Sequence, residues 1–446
     1  MSISEDKISI KTLNSGNKIE PGTFEYRISF IRELMKNATI GPLIDYINKN
    51  ELNNDNDKND TRNELGSCPL EFDKMIGEQL GGVLYYVKSG TTGHTFHGIC
   101  GDKKNPNYEF AVKVVAYPKK NKHGSIYNIK RPENAEIKML KVLSKFVLNK
   151  LTPHIVLPIC TFNTGINNFV NTTARNKIIS CGKKNGNSPP KKYIEFIEKY
   201  QNGIRSDNKP NETFHETVSV LVSEWANRGD LLAYFRVNYK FMKPIHWKVI
   251  FFQIVSVLAV IQNKYPAFRH NDFKINNILL QKIDKKQSTL TYGVCKKKYL
   301  VKNIGYHIKI WDFDFACIPG IVDNEKVNEK WTKVINVTPQ QNRYYDIHFF
   351  FNTMIREAMF PQFMNSQYIP QEAKDFLERI VPKEYQKGKY IHERGRFLLQ
   401  EEYTTPQFIL ENDIYFKEFR TIKKQKKKNN YKNEKIKSLI MRNDNI

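Results

Sequence analysis

The sequence predicts an α+β fold, on three observations. Short apolar runs that read as strands, EFAVKVV at 109–115 and SVLVSEW at 219–225, fall in the first half of the chain. Between them ENAEIKMLKVL, at 133–143, reads as a helix, because Glu136, Leu140 and Leu143 share one face at helical spacing. In the second half IHWKVIFFQIVSVLAVIQNKY, at 245–265, repeats apolar residues at Ile250, Ile254, Val257, Leu258 and Ile261. Its opposite side is also apolar, so this helix is expected inside a core. Strands followed by helices point to an α+β architecture.

The chemistry concentrates in HNDFKINNILL, at 270–280, and IKIWDFDFA, at 308–316. In phosphoryl transfer the protein mostly positions groups and neutralises charge: one carboxylate accepts a hydroxyl proton, and an Asn and a second carboxylate hold Mg²⁺ on the phosphates. Asp272, Asn277 and Asp312 fit those roles. The two segments resemble the catalytic loop H-R-D-x-K-x-x-N and the metal-binding D-F-G of the eukaryotic-type protein-kinase superfamily. The resemblance implies a bilobal protein-kinase-like fold, with a small antiparallel-sheet lobe and a mainly helical lobe. It also implies ATP, Mg²⁺ or Mn²⁺, and a protein substrate.

Further elements follow in chain order. VKSGTTGHTFHGIC, 87–100, resembles the glycine-rich phosphate loop, with Gly90 and Gly93 at its second and third glycines. Glycine is used there because the backbone must come close to the phosphates at angles a side chain forbids. Lys88 replaces the first glycine, Thr95 the usual valine, and Gly81-Gly82 offers a competing alignment. Lys113 resembles the strand lysine that pairs with the α- and β-phosphates, and Glu136 is its expected partner. In SVLVSEWANRGDLLAYF, 219–235, Ser223 matches the position behind the adenine. The backbone of Glu224 and Ala226 would bond the adenine edge, and Asp230 would reach the ribose. Asp230 also reads as a helix cap.

After the helix begun by Pro244, His270 is expected to be structural. Lys274 would neutralise the transferring phosphoryl group, as in serine/threonine-type loops. Asn271 stands where the family has an Arg that binds a phosphorylated activation segment, which implies activity without such phosphorylation. Phe313 would pack beneath the helix of Glu136. Asp314 replaces the motif glycine and adds a negative charge beside the metal position. Asp346, in RYYDIHFFF, resembles the buried Asp that bonds the catalytic-loop backbone. The short segment before it lacks A-P-E. With DFDF and YYDxHFF, this looks most like the divergent serine/threonine kinases of poxviruses and other large DNA viruses. TTPQFILENDIYFKEF, 404–419, resembles the last helix of such domains.

The resemblance spans residues 75–420. Residues 1–67 are an N-terminal extension and polar linker, with an amphipathic helix expected in FEYRISFIRELMKNATIGPLIDYI. Residues 68–222 form the smaller lobe, interrupted by an Asn- and Lys-rich insert at 161–215 that reads as a partly disordered surface loop. Residues 223–420 form the larger lobe, and 421–446 are a basic tail.

Lys plus Arg number 71 against 46 Asp plus Glu, a net charge of +25. The excess is spread along the chain, and Lys and Asn enrichment also follows from an AT-rich genome. Only the tail is a concentrated patch, suited to an acidic partner or an anionic surface. The six cysteines show no CxxC or zinc spacing, which fits free thiols. No secretory signal or transmembrane segment is expected, and the site of action would be the host cytoplasm or the virion. Two other readings stay open at this point: a small-molecule phosphotransferase of the choline- or aminoglycoside-kinase type, and a pseudokinase scaffold.

Overall fold

The computed structural model describes residues 22–44, 70–89, 93–119, 123–170, 193–198 and 214–420. The polar linker, the basic tail, Gly90 and most of the insert lie outside them.

Helix α1 (Phe24–Leu34) starts at Thr23, whose hydroxyl accepts from the Tyr26 N–H (3.2 Å), and stops at Met35. It is shorter than the expected amphipathic segment, whose remaining described residues, 35–44, are not helical. Next come β1 (Gly82–Ser89), β2 (Gly93–Asp102) and β3 (Asn105–Pro118), then helix α2 (Pro132–Leu148), β4 (Pro158–Gly165) and β5 (Phe214–Glu224). The five strands form one antiparallel sheet in the order β1-β2-β3-β5-β4. Phe110 of β3 seals it: a Cβ on Gly98 would stand 2.2 Å from its ring and one on Gly82 2.5 Å, so only glycine fits at either place.

The 161–215 segment departs from the surface loop expected of it. Its ends belong to β4 and β5, and in between Tyr193, Phe196 and Ile197 are buried. The Phe196 ring lies 4.8 Å from His94 and 5.5 Å from Phe214. A few aromatics in an otherwise polar stretch are enough to cover that face of the sheet.

The larger lobe is mainly helical and is built on α4 (Pro244–Lys264), reached through α3 (Leu231–Asn238). At 21 residues α4 is long and apolar enough to cross a membrane. Burial decides the matter. Trp247, Phe251, Phe252, Ile254, Val257 and Leu258 are all fully enclosed, so this is a core helix. Strand β6 (Ile278–Lys282) pairs with β9 (Tyr306–Ile310), and a hairpin of β7 (Thr289–Val294) and β8 (Lys297–Lys302) lies between them in sequence. The hairpin turns at Cys295 and Lys296, both left-handed (φ 48° and 64°), as a tight two-residue connection requires. Its Tyr292 and Tyr299 rings lie 5.2 and 5.4 Å from Phe252 of α4. Helices α5 (Tyr345–Met354), α6 (Gln371–Ile380) and α7 (Pro406–Asn412) complete this lobe. A sheet-rich lobe and a helical lobe joined after β5 make the bilobal kinase-like fold.

Candidate active site

Three distant segments converge on Lys113. Strand β3 pairs Lys113 with Thr95 on one side and Leu221 on the other, which leaves its side chain to project from the sheet. Its Nζ donates to both Glu136 oxygens (2.6 and 2.8 Å) from α2 and to Asp312 Oδ1 (2.9 Å) just after β9. Burial opposes a charge on Lys113, but Asp312 and Glu136 outweigh it and hold the ammonium well above its ordinary range. Burial also opposes the charge on Asp312, yet Lys113 keeps that carboxylate well below the usual values. Glu136 is pushed up by burial to about 7, against the pull of Lys113. Two carboxylates sharing one ammonium leave a negative surplus that suits an added cation.

The catalytic-loop segment is held from below. Buried Asp346 accepts from the backbone N–H groups of His270 (2.7 Å) and Asn271 (2.9 Å). Asn271 is thereby held at φ 62°, and Asp312 stands at φ 66°, two left-handed turns that aim neighbouring side chains toward the same region. Asp272 Oδ2 accepts from Lys274 Nζ (2.8 Å) and Asn277 Nδ2 (3.0 Å). Asn277 Nδ2 also donates to the Asp272 carbonyl (3.0 Å). Its amide nitrogen is therefore committed, and its oxygen is the group left to meet a hard cation. An oxygen set of Asn277 and Asp312 fits Mg²⁺ or Mn²⁺, which take few protein ligands when phosphates supply the rest.

Sequence reasoning missed Arg396. Its Nη2 lies 2.8 Å from Asp272 Oδ1, and its Nη1 donates to the Asn271 carbonyl and to Tyr345 Oη (3.0 Å). It lies 124 residues beyond Asp272, in no motif, so no local signal marked it.

The segment from Asp312 to Asp346 is tied down without any phosphate. Fully buried Arg269 donates to the carbonyls of Asn336 (2.5 Å) and Gln340 (3.2 Å) and to Thr338 Oγ1 (3.0 Å). The side chain of Asn271 donates to the carbonyls of Phe315 (3.1 Å) and Thr338 (3.2 Å). Asp314 pairs with Lys326, which answers its negative charge, while Asn324 holds its carbonyl (3.0 Å). Phe313 is buried, 5.0 Å from the His270 ring.

At the hinge Ser223 is fully buried and Ala226 nearly so. The Glu224 N–H donates to the Leu157 carbonyl (3.0 Å), so at Glu224 the carbonyl is the backbone group left for an adenine edge, with the backbone of Ala226 beside it. Its carboxylate is bound by Arg27 of α1 (2.6 and 2.7 Å) and by the Leu157 N–H (2.8 Å). Asp230 caps α3 by accepting from the Ala233 N–H (2.9 Å), the second role anticipated for it. Gly93 begins β2, and a Cβ there would stand 3.6 Å from Lys113 Cε.

Residues 226–390 match the family model of the poxvirus serine/threonine protein kinases. Over 418 residues, 93% of this chain and 84% of the other, the chain is 44% identical to a provisionally named serine/threonine-protein kinase of Acanthamoeba polyphaga mimivirus. A second provisionally named mimivirus serine/threonine-protein kinase is 34% identical over 118 residues, 24% of this chain and 30% of its own. A serine/threonine-protein kinase haspin homolog of Drosophila melanogaster is 28% identical over 170 residues, 38% and 28% of the two chains.

Proposed function

Because the chain belongs to the viral serine/threonine protein kinases, we propose that it moves the γ-phosphoryl group of ATP, with Mg²⁺ or Mn²⁺, to Ser or Thr hydroxyls of protein substrates. The observation that carries this reading is the pairing of Lys113 with Glu136 and Asp312 beside the Asp272, Lys274 and Asn277 cluster.

Adenine sits against the Glu224 carbonyl and the Ala226 N–H, with the ribose near the free oxygen of Asp230, and Gly90 and Gly93 are assigned from the sequence to the phosphates. Lys113 binds the α- and β-phosphates. The metal, held by Asp312 and Asn277, neutralises charge on the phosphates when bound. Asp272 orients the substrate hydroxyl and takes its proton as the oxygen bonds to the γ-phosphorus; the bond from that phosphorus to the β–γ bridging oxygen breaks and ADP leaves. Lys274 neutralises the transferring group. The kinship with viral kinases supports a site of action in the host cytoplasm or the virion.

The test uses radiolabelled ATP with Mg²⁺ or Mn²⁺, with casein, basic protein and choline as acceptors. Label on protein Ser or Thr is expected, falling by roughly 10²–10⁴-fold in Asp272→Asn while ATP binding persists. Transfer to choline alone, or equal transfer by the variant, would overturn the reading.

A further inference from the structure

A cavity of about 210 Å³ lies against α1, the start of β3, residues 224–227 and the β6/β9 pair. Lys113, Glu136, Asp272, Asn277 and Asp312 do not line it; it shares only the hinge with the proposed nucleotide site. Its charged groups divide into satisfied and unsatisfied ones. Arg27 is fully engaged, with two bonds to Glu224 and others to the carbonyls of Pro153 (3.1 Å) and Ile155 (2.6 Å). Glu109, also in the wall, pairs with His97 (3.0 Å).

Lys309 and His307 are different. Lys309 is 4% exposed, its Nζ donates to the Pro153 carbonyl (2.8 Å), and no carboxylate of the described residues lies within 4.0 Å of it. Two of its three donors are left over. His307 is 8% exposed, and neither of its ring nitrogens has a hydrogen-bond partner. Glu224 attracts Lys309 only from beyond ion-pair distance and is already bonded by Arg27, so the buried ammonium is incompletely compensated, a costly arrangement that a ligand would relieve.

We infer that this cavity binds a small oxyanion ligand, phosphate- or carboxylate-bearing, through the Lys309 ammonium. Burial, with the charge of Arg27 nearby, pulls Lys309 well below the ordinary lysine range, and a bound oxyanion supplies the missing counter-charge. Lys282, at the rim of the same cavity, adds to the positive field that meets the ligand.

Equilibrium dialysis of the full chain with radiolabelled inorganic phosphate and with radiolabelled citrate, in the absence of metal, tests this. Each measurement is then repeated with a nonhydrolysable ATP analogue and Mg²⁺ added. At least one of the two probes is expected to bind at one site per chain, and the one that binds names the ligand class. Binding should weaken at least tenfold in Lys309→Met. Lys309→Met should melt at or above the wild-type temperature, since it removes an incompletely compensated buried charge; Lys309→Gln serves as the second variant if it does not. Absence of binding by both probes, displacement of all bound anion by the analogue, or wild-type affinity in folded Lys309→Met would overturn the inference.

Discussion

Arg396 reaches Asp272 from 124 residues away, placing Nη2 2.8 Å from its Oδ1, while Nη1 is held by the Asn271 carbonyl and by Tyr345 Oη. It fixes the oxygen that Lys274 and Asn277 do not touch, so Asp272 is gripped on both sides. Arg396→Met is expected to lower kcat about 10–100-fold, as small misplacements of a catalytic group do, with KM for ATP little changed. Arg396→Lys should recover part of the loss, because one donor can still reach the carboxylate. Steady-state kinetics check this; a change confined to KM for ATP would contradict a positioning role.

Glu136→Gln keeps the size of the side chain but removes the charge that faces Lys113 at 2.6 Å. Charge-assisted hydrogen bonds of this kind contribute about 1.5–3 kcal/mol, so kcat/KM for ATP should fall roughly 10–100-fold. Asp312→Ala should abolish metal-dependent nucleotide binding, measured by calorimetry with and without Mg²⁺.

Arg269 spans the end of the segment that follows Asp312, bonding Asn336, Thr338 and Gln340. These are neutral acceptors, so the segment is ordered by the polypeptide itself. Protein treated with a phosphatase and freed of it should keep at least half its activity. Arg269→Met, which orphans the buried Asn336 carbonyl and frees two acceptors nearer the solvent, should cost about 1–3 kcal/mol of stability, read from denaturant midpoints.

Stability should fall in acid. Burial lowers His154 to about 3 and His94 and His348 to about 4, against an ordinary 6.5. Below 6.5 the unfolded chain binds protons that the folded chain refuses. The contribution is therefore fully present above 6.5 and lost as pH drops toward 4, by at most about 1.4 kcal/mol per pH unit for each histidine. Glu136, raised to about 7, works the other way between 7 and its ordinary 4.5, as do Glu133 and Asp346, which burial also raises, but burial lowers His215, His246 and His307 too, six imidazoles against three carboxyls. Guanidinium midpoints at pH 7 and pH 5 check the sign; an equal or higher midpoint at pH 5 would refute it.

Asp272, Lys274 and Asn277 sit in one short loop, and Lys113 sits in the middle of an apolar strand, so their spacing and the alternation around them could be read from neighbouring residues alone. The pattern at 133–143 likewise placed Glu136 on a helix. The composition around 161–215 misled, because the few aromatics that cover the sheet are diluted by Asn and Lys. The β7–β8 hairpin passed unread, since its alternation is short and its turn carries no glycine. The apolar residues all round α4 did place it inside a core, where the structure has it.

What the sequence by itself determined is therefore local: helix and strand periodicity, the catalytic-type spacing and the family they belong to. The tertiary structure alone decided which distant groups meet, among them Arg396 on Asp272, Arg27 on Glu224, Arg269 on the segment after Asp312, and Lys309 on the Pro153 carbonyl. The physical reason is that periodicity is set by backbone geometry over a few residues. A contact between residues 124 or 197 positions apart exists only after the two lobes pack around α4 and bring their loops together.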